Sequence, residues 1–435
     1  MICLAPKLEM PPRECPKCGA TLAANGWLIT GMRNLADLRC PDCNAEFYGD
    51  LPSGQALYTP ILLEKETGKI YDEYDVGWFS GWLSDAYANR TSESIPFEAR
   101  KISKLKNKVI LLNCLDKPYG DLLHKLLNAQ FYIDKQPDAS LIVLLPRFLE
   151  WLLPGGVAEA WIVDLPLKRG AEWNDWLARE IGERLAPFAE IYLSVAFPHP
   201  HSGDFDIERF TRVAPFPLEN LGNHQNKPVV TFIWREDRLW KTENRPKSAR
   251  FENAKQRFGF TPNALDEQTR KVIKFAELLR EKFPSVDFAV AGLGKTNKFP
   301  VWIADLRLLK LSDEEERAWC ERYAASHVVV GVYGSNMLLP AAHAGSLIDL
   351  VGEEWWGNYL QDVLFRYTDA REMFYRNRFV PHSTTPEHLV VLVSTILRDE
   401  DFQRSMGLEF SVHREKYDFE NFLAKKRHQA EIKGK

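Results

Sequence analysis

With 435 residues and a net charge of −4, the chain is long enough for two or three domains and lacks the basic balance of a polyanion binder. Its most apolar window, 141–165, is broken by Arg147, Glu150, Pro154, Gly155, Gly156 and Glu159, which excludes a membrane span there. The N-terminus carries Pro6, Lys7 and Glu9 before any long apolar run, so no signal peptide is expected.

Seven cysteines are present, and four form two near-copies of one knuckle: Cys15-Pro-Lys-Cys18 and Cys40-Pro-Asp-Cys43. Two CxxC turns at this separation bring four thiolates to one tetrahedral site, which predicts a zinc ribbon over residues 1–55. A redox pair or an iron site would not need two matched knuckles. Residues 21–38 leave room for a β-hairpin, with Phe47 and Tyr48 packing on it. All four ligand positions are sulfur, so the zinc is expected to be structural, replacing a core that about fifty residues cannot build. This cysteine usage fits a reducing compartment, and the expected location is cytoplasmic. Between the knuckles only Arg33 and Arg39 are basic, which argues against nucleic acid as the ribbon's partner.

The aromatic and acidic stretch 71–82 has no clear period and reads as a loop or part of an acceptor surface. From residue 108 the pattern becomes regular. VILLNC (109–114) is a buried strand, 116–120 a turn, and 121–131 a helix with Leu122, Leu123, Leu126, Leu127 and Phe131 on one face. Strands follow at 141–145, 158–163 and 190–195, with helices at 148–153 and 172–185. This alternation predicts an open, mostly parallel sheet. His124 and Asp121 lie just past the carboxyl end of the first strand, where such a sheet holds its ligands. His124 there is either a base or acceptor contact, or a packed side chain. Asp116 shares the neighbourhood.

Proline-rich segments at 197–204, 213–217 and 222–228 read as a crossing to a second α/β unit. Its strands are expected at 229–234, 286–291, 306–311, 327–332 and 346–351. A helix spans 263–282, and Ser312-Asp-Glu-Glu-Glu316 is a capping box opening another up to residue 325. Ser335 and Asn336 are N-cap types for a short helix to about residue 343. The end of the chain is helical at 385–397 and 401–426, with a small basic tail after residue 424. Three strand ends carry ligand-type residues: Arg235 to Arg238, Gly292 to Lys295, and Gly331 to Asn336. An arginine fork facing an amide-rich helix start forms a diphosphate clamp. Neither GxxxxGK[ST], GxGxxG nor GxSxG occurs at these loops.

The run HVVVGVYGSNMLLPAAHAGSLIDL (327–350) resembles the donor-site segment of glycosyltransferases of the plant xylosyl/arabinosyltransferase and EGF-domain O-GlcNAc transferase class. Their pattern is a strand, G-x-H-G-[SA]-x-[LMN], a small residue, then P-x-[GA]-[ST]-hydrophobic-[ED]. Phe232-Ile-Trp-Arg235-Glu-Asp237-Arg238 resembles the strand-R-x-D-[RK] segment of fucosyltransferases. The resemblance covers about 229–350, under a third of the chain. It implies a GT-B fold: α/β, with two Rossmann-like domains facing across a cleft, here preceded by the zinc ribbon. It implies that Arg235, with Asp237 in the same motif, binds the donor phosphates. Gly334, Ser335 and Asn336 would supply further donors. Tyr333 stands where the xylosyl-type pattern has histidine.

The expected organisation is a ribbon (1–55), an acceptor domain with linker (56–225), a nucleotide-sugar donor domain (226–400), and a C-terminal helix with the basic tail (401–435). The expected activity is inverting, metal-independent transfer of a sugar from a nucleotide-sugar to a hydroxyl on a glycan, lipid-linked or protein acceptor. His124 and Asp121 are the candidate catalytic residues. The alternative is a non-catalytic nucleotide- or glycan-binding protein with a degenerate GT-B body. A nucleic-acid protein built on the ribbon is a third class, disfavoured by the acidic balance.

Overall fold

The computed structural model describes residues 1–196, 205–217, 227–241, 262–357 and 376–398, with the single positions 220, 359, 361 and 364. The chain divides into two compact units, Met1–Thr211 and Arg212–Lys435. The expected linkers at 197–204 and 222–226, the helix at 401–426 and the basic tail lie outside the described residues.

The first unit opens with β1 (Ile2–Ala5) and then builds an antiparallel sheet from β2 (Ala23–Ile29), β3 (Asn34–Arg39), β4 (Glu46–Asp50), β5 (Leu62–Glu64) and β6 (Ile70–Tyr71), in that order. The hairpin expected between the knuckles is β2–β3, and the sheet continues past residue 55 to Tyr71. Residues 71–82 are not all loop: α1 spans Gly77–Ala88. Only Phe79 and Leu83, one turn apart, are buried in it, so a helical stripe scarcely shows in the sequence.

The α/β part follows: β7 (Phe97–Lys101), β8 (Lys108–Asn113), α2 (Tyr119–Lys135), β9 (Ser140–Pro146), β10 (Glu159–Val163), α3 (Asp175–Leu185) and β11 (Glu190–Leu193). The sheet order is β1-β11-β8-β9-β10-β7. Its four central strands are parallel, and β1 and β7 close the edges antiparallel. The central strands are apolar because both their faces are covered. Leu122, Leu123, Leu126 and Leu127 of α2 are buried, but Phe131 is 45% exposed and Ala129 and Tyr132 are buried instead. The helix expected at 148–153 is a 3-10 helix, Arg147–Leu152, followed by Pro154 and Gly155, which cannot extend it. Asn174 caps α3 by accepting from the Leu177 amide.

The ribbon sheet and this α/β sheet share one apolar core. Cys15, Leu38, Cys40 and Phe47 belong to the same buried cluster as Val109, Leu111, Ile142 and Leu193. Lys17 of the first knuckle pairs with Glu64 of β5.

The second unit contains β12 (Val229–Trp234), β13 (Asp287–Leu293), β14 (Ala304–Leu308), β15 (Val328–Val332), β16 (Leu347–Val351) and β17 (Asn377–Pro381). All described pairings among them are parallel, in the order β14-β13-β12-β15-β16-β17. Counted within the unit this is 3-2-1-4-5-6, the doubly wound order of dinucleotide-binding sheets. The strand β17, NRFVP, is not among the strands the sequence predicts, because its polar residues and proline break the apolar run. Helices at Pro262–Lys282, Asp313–Ala325 and Pro386–Arg398 flank the sheet, and the first and third pack on each other. Val272, Phe275 and Leu279 of the first are fully buried at helical spacing. Ser312 caps the second by accepting from the Glu315 amide, as its capping box predicts. Among the described residues no helix is long and apolar enough to cross a membrane.

Candidate functional site

In an open parallel sheet the chain leaves neighbouring strands in opposite directions at the point where the strand order reverses, and a crevice opens at their carboxyl ends. In the second unit that point lies between β12 and β15, which are paired directly. Arg235 follows β12, and Tyr333 to Asn336 follow β15. Sheet geometry therefore brings together two segments about a hundred residues apart in sequence.

The Arg235 guanidinium is held on two sides. Nε and Nη2 donate to the two carboxylate oxygens of Asp237, at 2.8 and 2.6 Å. Nη1 donates to Asn336 Oδ1 at 2.6 Å and to the Tyr333 carbonyl at 3.2 Å. Arg238 donates to the same carbonyl at 2.6 Å, and its guanidinium lies over the Trp355 ring at 4.6 Å. Arg235 holds the Asp237 carboxyl below the usual carboxylate range by direct hydrogen bonding, against partial burial. Arg235 and Asn336 thus meet, with Asp237 between Arg235 and solvent. Ser335 is half-buried and makes no cap bond. The expected Ser335/Asn336 cap does not form, because residues 335–337 make a 3-10 turn before the helix Leu338–His343 and Asn336 turns its oxygen to Arg235. Tyr333 is 1% exposed, with its ring against Trp355.

Gly334 has φ +144°, a region that side chains avoid. A Cβ there would be driven into Arg235 Nη1 and would lie 3.0 Å from Arg238 Nη1. Gly334→Ala is expected to cost the second unit about 1–3 kcal/mol, the usual scale for a side chain forced into such a conformation. Denaturant unfolding of the purified variant checks this, and stability equal to the parent's contradicts it.

The third loop expected at this edge, Gly292 to Lys295, is engaged differently. Glu236 Oε1 accepts from the Thr296 amide at 2.9 Å and from Trp234 Nε1 at 3.3 Å. Gly294 has φ +103°, and a Cβ there would collide with the Glu236 carboxyl group. Buried Arg307 fastens the far side by donating to the Thr296 and Asn297 carbonyls at 2.8 and 2.9 Å. The loop therefore already holds an anion, the chain's own glutamate. The contacts of Arg238 with Tyr333 and of Glu236 with the 292–296 loop are not foreseen in the sequence. Arg238 does stand three residues after Arg235, whereas a loop wrapped on a glutamate leaves no local signature.

The corresponding reversal in the first unit lies between β8 and β11. The ribbon occupies it. Asn113 Nδ2 donates to the Gly31 carbonyl and to Asn34 Oδ1, both at 2.9 Å, and Asn34 donates to Ser53 Oγ at 2.6 Å. The Gly54 amide donates to the Val195 carbonyl at 2.8 Å. Beneath these, Lys125 and Asp116 form an ion pair at 2.7 Å, both almost fully buried. Asp121 and His124, in the first turns of α2, are 6% and 3% exposed.

The four knuckle sulfurs all lie within 4.8 Å of one another, the span of a single metal site. The two turns match: the Gly19 and Asn44 amides donate to the Cys15 and Cys40 carbonyls, and both residues have left-handed φ, +80° and +60°. Cys15 and Cys40 are buried while Cys18 and Cys43 face outward. The Cys43 amide leads in drawing the Cys40 thiol down to about 7. The Ala20 amide also pulls on Cys18, but hydrogen bonding to Cys40 and burial outweigh it and push that thiol up to about 12. Four thiols this crowded cannot all ionise without a cation, and a thiophilic divalent metal fits the donor set.

No family model matches the sequence, and no curated protein matches it. Among solved structures, that of E. coli ADP-heptose lps heptosyltransferase II is 13% identical, and the match covers 68% of this chain and 99% of that one at a TM-score of 0.35. So slight a likeness says nothing of chemistry, and the Rossmann-like arrangement stands on the strand order of each sheet.

Proposed function

We propose that the chain is a GT-B glycosyltransferase that moves a sugar from a nucleotide-sugar to a hydroxyl on a glycan, lipid-linked or protein acceptor. One observation carries this reading: Arg235, Arg238 and Asn336 converge at the reversal point of a 3-2-1-4-5-6 parallel sheet. Breaking the sugar–phosphate bond leaves a diphosphate. Two guanidiniums and the donors of 334–336 are suited to stabilising the charge that develops on it, without help from a metal. The donor domain is then 226–400, and the acceptor domain 56–225.

The acceptor hydroxyl needs a base, and His124 and Asp121 are the candidates, acting with inversion at the anomeric carbon. Cys15, Cys18, Cys40 and Cys43 hold a structural zinc, and a cytoplasmic location keeps their thiols reduced. A non-catalytic nucleotide- or glycan-binding protein is the second reading, and the burial of Asp121 and His124 favours it. Incubation with a panel of nucleotide-sugars separates the two. The transferase reading expects one donor to raise the melting temperature and release nucleoside diphosphate when an acceptor is present. Stabilisation without turnover supports the second reading in its nucleotide-binding form, and no response from any nucleotide contradicts the transferase reading and leaves only glycan binding.

A further inference from the structure

A guanidinium grips a phosphate through two parallel N–H donors, the same fork that grips a carboxylate. In Arg235 that fork, Nε and Nη2, is already filled by both oxygens of Asp237. The remaining edge, Nη1, is filled by Asn336 Oδ1 and the Tyr333 carbonyl. These bonds take four of the five guanidinium N–H groups and leave a single Nη2 hydrogen, so no two-donor fork on Arg235 is open to an incoming anion until one of these acceptors leaves. The Tyr333 carbonyl belongs to a fully buried residue and also takes Arg238. Asp237 is different: its side chain is 73% exposed, against 15% for Arg235, and it sits on the solvent side of the pair. Asn336 Nδ2 points to a missing acceptor as well. It is out of contact with solvent and has no hydrogen-bond partner among the described residues. A buried amide donor left so is costly, and a phosphate oxygen brought to Arg235 beside it would relieve that cost.

We infer that Asp237 is an internal occupant of the phosphate fork, and that a diphosphate enters by exchanging places with its carboxylate. This rests on the phosphate reading of the site and names what it admits. A single weak anion gains little by displacing a carboxylate already paired to Arg235. A diphosphate reaches Arg235 and Arg238 together, so the exchange favours diphosphate-bearing ligands over orthophosphate. The Asp237 carboxylate turns out to water, where an exposed side chain pays little for solvation. No covalent bond changes.

Inorganic pyrophosphate, which carries no base or sugar, tests this by calorimetric titration of the full chain. Asp237→Asn is expected to bind it about fivefold or more tightly than the parent, the scale of one exposed ion pair. Asp266→Asn, which removes an exposed carboxylate bonded to Asn297, controls for a general charge effect and should change affinity less than twofold. Weaker or equal binding by Asp237→Asn, or equal tightening by Asp266→Asn, overturns the exchange while leaving the phosphate site standing. Absence of pyrophosphate binding in both the parent and Asp237→Asn, each folded by its melting curve, overturns the phosphate site and the exchange together.

Discussion

Arg235→Ala is expected to abolish nucleoside diphosphate binding and to lower any transfer rate by about 10²–10³, the range seen when one preorganised donor to a developing anion is removed. The fold should survive. The Tyr333 carbonyl keeps its bond from Arg238, and Asp237 is already largely in water. Only Asn336 Oδ1 loses its strongest partner. Arg235→Lys should rescue little, because an ammonium cannot span two oxygens in a plane or reach Asn336 at the same time. Transfer at near-parental rates by a folded Arg235→Ala protein would remove Arg235 from the chemistry. A melting temperature lowered along with the rate would instead assign it a structural part.

Removal of the metal proposed for Cys15, Cys18, Cys40 and Cys43 is expected to unfold the first unit. The reason is the shared core: Cys15 and Cys40 are packed among Phe47, Val109, Leu111 and Ile142, so the knuckles cannot open without exposing the face of the α/β sheet. Metal binding at a four-thiolate site is worth about 10–16 kcal/mol near neutral pH, while a whole domain is stable by about 5–15 kcal/mol. The two are of the same order, so chelation is expected to leave the unit at or below its folding threshold. Cys15→Ser and Cys40→Ser should do the same without chelator. Elemental analysis should find about one zinc per chain in the parent. A melting profile unchanged by complete metal removal would contradict a structural role.

What was legible in the sequence follows a physical line. The buried parallel strands β8, β9, β12 and β15 show because both faces are covered and their central positions are mostly apolar. The edge strands β1 and β7 are short and gain their pairing from strands far along the chain, so nothing local announces them. The cysteine cluster is legible because two matched CxxC turns carry residue type and spacing together. Arg235 and Asn336 were each placed at a strand end, but their contact depends on β12 lying beside β15, and strand order is not a local property. The filling of the first unit's crevice left even less trace. It rests on Asn113 bonding to Gly31 and Asn34, about eighty residues earlier, through side chains that belong to no motif.

The structure of the protein crystallised with a nucleoside diphosphate tests the central claim most directly. The account predicts a phosphate oxygen about 3 Å from Arg235 Nε and Nη2, with Asn336 Nδ2 donating to the same group and the Asp237 carboxylate turned away. A bound nucleotide whose phosphates lie elsewhere, with the Arg235–Asp237 pair still closed, would contradict it.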